Sequence, residues 1–236
     1  MKEKRVVFMG TPTFAVPVLE KLIENTNVVL VVSQPDKEVG RKKVKQMTPV
    51  KEIAVKHNIP VFQPEKIRKD YEPIMASKPD LIITCAYGQI IPEVLLNLPK
   101  LGAFNVHASL LPKYRGGAPI HWALINGEKQ TGVTIMYMDK GMDTGDMISK
   151  VIYDIKPEDN VGTLHEVLSS LGANLLIETL PSIINHTNER EKQDEEKASY
   201  AYNIKREDER LDLNKSGEEV INKIRGLNPF PTANIL

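Results

Sequence analysis

Short apolar runs alternate with longer stretches whose apolar residues recur every three or four positions, and this alternation restricts the possible folds more than any other feature. A run that is apolar at every position is buried on both faces, which requires helices above and below the sheet it joins. RVVFMG (5–10), VVLVVS (28–33), the start of PDLIITCAYGQIIP (79–92) and GAFNVH (102–107) are runs of this kind. VFQP (61–64) reads as a short edge strand, and TGVTIMYMD and DMISKVIYDI as later strands. Between them, TPTFAVPVLEKLIENT sets Phe14, Val18, Leu19, Leu22 and Ile23 on one helical face. TPVKEIAVKHN predicts a helix with Thr48 as N-cap and Pro49 in its first turn, and residues 160–184 predict a long amphipathic helix capped by Asn160. Repeated strand–helix–strand units predict an α/β chain with an open, mostly parallel, Rossmann-like sheet and helices on both faces.

With 236 residues the chain is long enough for one large domain plus part of another. The segment after Asn185, NHTNEREKQDEEKAS, is charged and nearly free of large apolar residues, so it is expected to bury nothing. SGEEVINKIRGLNPFP (216–231) then resumes a helix, with Ser216 as N-cap, Val220, Ile221 and Ile224 on one face and Gly226 near its end. The predicted organisation is a catalytic domain over 1–185, a linker over 186–206 and, over 207–236, the opening of a second, truncated domain. Lysine plus arginine equal aspartate plus glutamate at 31 each, so attraction to a polyanion has to come from a local patch, and GRKKVK (40–45) is the candidate. One cysteine, Cys85, excludes an internal disulfide and a cysteine-rich metal site. The N-terminal apolar run is too short for a signal peptide and no apolar stretch is expected to approach a membrane span, so the expectation is a soluble, cytoplasmic monomer.

In an open parallel sheet the ligand crevice lies beyond the carboxyl ends of the strands. Asn105 and His107 fall at the end of their strand, and alternation sets both on one face. ASLLPKYRGGAP follows as a proline- and glycine-restrained loop whose backbone is expected to face the crevice. DKGMDTGD (139–146), between two strands, carries three acidic residues, and a carboxylate against a histidine fixes its tautomer and favours its charged form. The first strand-to-helix turn, GTPTFAVP, lacks both G-x-G-x-x-G and G-x-x-x-x-G-K, so a dinucleotide or P-loop site there is not expected. His57, His121, His165 and His186 share no metal-ligand spacing, and surface or helix-packing roles are expected for them.

NVHASLLPKYRGGAPIHWALINGE, with Asn105, His107 and then Asp143 in GMDTGD, resembles the signature of the folate-dependent formyltransferases. VVFMGTPTFAVPVLEKL, QPDKEVGRKKVKQMTPVK, PDLIITCAYGQIIP, IKREDERLD and IRGLNPFP are similar in order and spacing to the branch that formylates methionyl-tRNA. The resemblance implies the formyltransferase fold and transfer of a formyl group from 10-formyltetrahydrofolate, without a metal, to the amine of initiator methionyl-tRNA for translation initiation. It further implies Asn105, His107 and Asp143 as catalytic residues. The folate is expected on the backbone of Ser109, Leu110, Leu111 and Pro112 and of the turn carrying Tyr87, Gly88, Gln89 and Ile90. Arg41, Lys42, Lys43 and Lys45 are expected to meet tRNA phosphates. Two alternatives stand beside it: a folate- or RNA-binding module with idle catalytic residues, and a formyltransferase or deformylase acting on another amine or on water.

Overall fold

The computed structural model describes residues 1–39 and 44–235. Its strands are β1 (Arg5–Gly10), β2 (Asn27–Val32), β3 (Lys37–Val39), β4 (Val44–Gln46), β5 (Val61–Phe62), β6 (Leu81–Cys85), β7 (Ala103–His107), β8 (Gln130–Tyr137) and β9 (Met147–Asp154). Seven of them form one sheet in the order β5-β2-β1-β6-β7-β8-β9, and β3 and β4 form a separate hairpin. From β5 to β7 the pairing is parallel, whereas β8 and β9 close one edge antiparallel. The helices are α1 (Val16–Asn25), α2 (Pro49–Lys56), α3 (Glu72–Ala76), α4 (Glu93–Leu96), α5 (Pro119–Ile125), α6 (Val161–Ile184) and α7 (Gly217–Arg225). Thr48 accepts the Lys51 N–H as the cap of α2, and Asn160 makes a reciprocal capping box with Thr163 on α6.

Two-sided burial explains the fully apolar strands. Val6 and Phe8 pack with Leu19, Leu22, Leu168 and Leu176 on one side, and Val7 and Met9 pack with Leu30, Ile67, Ile74 and Leu95 on the other. Each such side chain stabilises the fold by about 1.5–3 kcal/mol, so the strands are clamped from above and below. α6 lies across β7, β8 and β9 and against α1. At Gly172 a Cβ would stand 2.9 Å from Val106 Cγ1, so only a glycine lets the helix press so closely on the strand that carries Asn105 and His107.

Three expectations change. α6 is long and apolar enough to cross a membrane by length and composition, contrary to the reading that no stretch approaches a span; here Leu164, Leu168, Leu176, Leu180 and Ile183 are core residues. Residues 185–199 bury nothing, as expected, but the expected linker 186–206 is no free tether: 189–203 is laid across the domain as a strap in which Glu191 exchanges backbone hydrogen bonds with Met147, Arg115 does so with Ser199 and Ala201, and Ala201 is fully buried. Its anchoring uses backbone bridges and polar side chains, which leave no apolar pattern to read. α7 begins at the expected Ser216 cap, but it packs on α5 through buried Asn222, while Ile221 and Ile224 of the expected apolar face are exposed.

Candidate active site

The order of the sheet reverses between β1 and β6, and the crevice beyond their carboxyl ends opens into a cavity of about 650 Å³. Asn105 and His107 line it together, with Thr84 at the end of β6 and Asp143 from the turn between β8 and β9. β7 places the two side chains by its pleat alone: Val106 between them points the other way, into the core against α6.

Hydrogen bonds fix the chemistry of each group. Thr84 Oγ1 donates to Asn105 Oδ1 at 2.7 Å, so the amide is oriented with its NH₂ outward, one hydrogen toward Asp143 Oδ1 at 3.4 Å and the other free. His107 Nε2 lies 2.9 Å from the Tyr114 carbonyl, which can only accept, so Nε2 carries a hydrogen. Nδ1 is then the reactive nitrogen, and it faces Asp143 Oδ2 at 3.6 Å. The same carboxylate oxygen accepts the Gly116 N–H at 2.8 Å. His107 is buried and Asp143 only slightly exposed, so the pair interacts with little screening.

The site is held in unusual backbone. Ala86, Tyr114 and Asp143 have φ of 48°, 61° and 54°, left-handed conformations that cost about 1–3 kcal/mol each and persist only where the surroundings impose them. Gly116, at φ 114°, lies so close to the strap that a Cβ would stand 2.8 Å from the Ala201 carbonyl. Burial pushes the hydroxyl of Tyr114 up to about 12, so it remains protonated and donates to Glu128 at 2.8 Å.

Of the residues expected to hold a folate, Tyr87, Gly88, Gln89 and Ile90 line the cavity. Among the described residues the backbone groups of Gly88, Gln89 and Ile90 have no intramolecular partner, and the Ile90 side chain is exposed. A loop with free N–H and C=O groups beside an apolar side chain suits a flat heterocycle with a polar edge. Gln89 fixes this loop from behind by accepting the Ile67 N–H and donating to Gln34. Ser109, Leu110, Leu111 and Pro112 do not line the cavity. Their polar groups are used internally: the Ser109 carbonyl accepts from Thr134 Oγ1, Ser109 Oγ donates to Lys113, and the Leu111 N–H reaches Thr134. Gly116 to His121 form the wall instead.

Of the basic run, Arg41, Lys42 and Lys43 lie outside the described residues; Lys45 is exposed on β4. The base of this hairpin is pinned by Lys51 to Asp36 at 2.6 Å, and hydrogen bonds from Gln63 and Lys51 hold the Asp36 carboxyl below its usual range. His121 and His165, expected at the surface or between helices, both stand on the cavity wall. Among the described residues no three metal-ligating side chains converge. Thr84, Arg115 and Gln193 escaped the sequence reading because their partners are distant in the chain, and Tyr114 because it acts through its main-chain carbonyl, neither of which leaves a local pattern.

Comparison with known proteins bears on this geometry. The formyl transferase family model matches residues 4–180, and that of the formyl transferase C-terminal domain matches residues 203–236. The chain is similar to methionyl-tRNA formyltransferase of Bacillus subtilis, with 60% identity over 97% of this chain and 73% of that protein. The corresponding protein of Staphylococcus epidermidis is 57% identical, over 97% of this chain and 74% of its own length. Among solved structures, an N-formyltransferase from Helicobacter canadensis in complex with folinic acid and dTDP-3-aminofucose superposes with a TM-score of 0.71 at 25% identity, covering 96% of this chain and 80% of that one.

Proposed function

The chain belongs to the formyl transferases, in the methionyl-tRNA formyltransferase branch, and from that premise we propose how its residues pass a formyl group from 10-formyltetrahydrofolate to the amine of initiator methionyl-tRNA. The observation that carries the reading is the meeting of Asn105, His107 and Asp143 in the cavity, with Asp143 within 3.4 Å of Asn105 Nδ2 and 3.6 Å of His107 Nδ1. The folate supplies the formyl carbon. Attack by an amine there builds negative charge on the formyl oxygen, and the N–H of Asn105 not directed at Asp143 is available to donate to it. Charged His107 offers a second donor through Nδ1, since Nε2 is committed to Tyr114. Each such donor contributes about 10²- to 10³-fold to the rate. His107 Nδ1–H then protonates the departing folate nitrogen, and Asp143 takes the amine's proton through a water. Atoms and charge balance: the amine loses one proton and the leaving nitrogen gains one.

The turn of Tyr87, Gly88, Gln89 and Ile90 holds the folate in this reading, supported by its unpartnered backbone and by the folinic acid named in the Helicobacter complex. The β3–β4 hairpin flanks the basic run, so Lys45, with Arg41, Lys42 and Lys43, is the proposed meeting point for tRNA phosphates. Residues 1–185 form the catalytic domain and 207–236 the opening of the tRNA-binding domain, joined by the strap. The substrate belongs to translation initiation, which assigns the activity to the cytoplasm. Radiolabelled 10-formyltetrahydrofolate incubated with this chain and methionyl-tRNA should yield label on the esterified methionine. Label released as formate with none on the tRNA would instead establish hydrolysis, and label on another amine a different acceptor.

A further inference from the structure

We propose that Gln193, on the strap, is a positioning residue for formyl transfer, holding the Asp143 turn through its side-chain amide while Arg115 holds that amide in place. The inference rests on the reading that Asp143 acts with His107. The turn itself offers Asp143 little support. Its internal bonds run from the Gly141 N–H and Thr144 Oγ1 to Asp139, and none of them restrains the left-handed backbone at Asp143.

The restraint comes from fifty residues away. Gln193 Nε2 donates to the carbonyl of Asp143 at 2.7 Å and to that of Gly145 at 2.8 Å. Both partners are carbonyls, so the atom facing them must be the nitrogen, and both of its hydrogens are used. Oε1 therefore faces outward, where it accepts from Arg115 Nε at 3.0 Å. The Arg115 side chain is fully buried and has no freedom to swing away. Its two terminal nitrogens bind the Glu195 carboxylate at 2.9 and 2.8 Å, and its backbone is bridged to Ser199 and Ala201. The bond to Glu195, ahead of the contact with Tyr200, holds the guanidinium firmly in its charged form.

The next residue closes a circuit. Gly116 donates its N–H to Asp143 Oδ2, so the Arg115–Gly116 pair grips Asp143 twice, directly at the carboxylate and through Gln193 at the backbone. Among the described residues Gln193 is the one strap side chain hydrogen-bonded to the turn's main chain. It makes no hydrogen bond, among the described residues, to Asn105 or His107, which the strand positions independently. Gln193 is thus placed to fix where the Asp143 carboxylate sits relative to His107 Nδ1, and through that distance the rate of the chemical step.

The informative variant is Gln193→Glu. It keeps the size of the side chain and an acceptor for Arg115, so the strap stays docked, but it turns an oxygen toward two carbonyls that need donors. The expected result is a fall in kcat of about 10- to 10²-fold, the scale of a displacement near 1 Å in a catalytic group. KM for the folate should stay within about two-fold, because its loop is on the other wall. Gln193→Ala, which removes the clamp without adding charge, should give the same split and guards against a misfolded glutamate variant. In an Asp143→Asn background, Gln193→Glu should cost almost nothing further, because the clamp acts only through that carboxylate. Wild-type kcat in both Gln193 variants, or losses that multiply in the double variant, would overturn the inference while leaving the catalytic reading intact. A wild-type rate in Asp143→Asn alone would remove the catalytic reading, and the inference with it.

Discussion

Asn105 and His107 owe their positions to a strand, whereas Asp143 owes its position to two other pieces of chain, and the two walls of the cavity differ accordingly in what they tolerate. On β7 the pleat, the ladder to β6 and β8 and the pressure of Gly172 on Val106 fix both side chains before any of their own hydrogen bonds are counted. Replacing such a side chain removes a function and leaves the scaffold. In the turn between β8 and β9 the position is made by Gly116, by Gln193 and by the buried Arg115 that orients Gln193. There, replacing a supporting residue moves the functional one. A rigid element supplies geometry from main-chain regularity, and an irregular one has to import it side chain by side chain.

The largest expected effect tests the strand-borne wall. Asn105→Ala or His107→Ala should lower formyl transfer by about 10²- to 10³-fold, because each removes a donor at the developing charge. For Asn105→Ala the thermal midpoint should stay close to wild type, since Asn105 is half-buried and the β7 ladder does not use its side chain. Turnover measured under single-turnover conditions separates this from a binding defect. A large drop in midpoint would show that the strand wall, too, depends on its side chains, and the contrast between the two walls would fail.

The strap-borne wall should respond in the opposite way. Arg115→Met removes a fully buried guanidinium that ties Gln193 and Glu195 to the domain. Breaking a buried pair costs about 3–5 kcal/mol when the remaining charge stays buried; here the Glu195 side chain is 70% exposed and regains water, so about 2 kcal/mol is expected. In a domain of this size that lowers the midpoint by about 4–8 °C. Glu195→Gln should lower the midpoint far less, as an exposed carboxylate contributes little by itself. Equal losses from the two variants would mean that the ion pair, and not the buried arginine's grip on the strap, holds this wall.

The same contrast explains what was legible in the sequence. The parallel sheet, the caps of α2, α6 and α7, and the shared face of Asn105 and His107 follow from periods of two and 3.6 and from cap chemistry, all of them local. Ser109 to Pro112 were expected at the folate because a restrained loop after a site strand points toward the crevice. Their actual direction is set by Thr134 on β8, which no local pattern announces. The charged strap read as a tether because segments of its composition lack apolar surface, and its ordering comes from single polar bonds that span the chain, Gln193 to Asp143 and Trp122 to Tyr202.

The smallest expected effect concerns a third, helix-borne part of the wall. His121 on α5 and His165 on α6 both line the cavity, and burial lowers the pKa of each from the ordinary 6.5, with the Gly226 carbonyl and Glu166 opposing it only in part. A histidine that resists protonation when folded binds fewer protons than it does in the unfolded chain. Stability should therefore be complete above about pH 6.5 and decline as pH falls through that value. His121 Nδ1 also pairs with the Gly226 carbonyl at 2.8 Å, which ties the end of α7 to the cavity wall. Since that carbonyl only accepts, Nδ1 carries a hydrogen, and asparagine can present an N–H at a similar position without titrating. Urea midpoints of His121→Asn measured across this range should decline less steeply on acidification than those of wild type. An unchanged slope would mean that water in the cavity relieves the burial of His121, and that the helix-borne wall is open to solvent where the strand-borne wall, with its enclosed His107, is not.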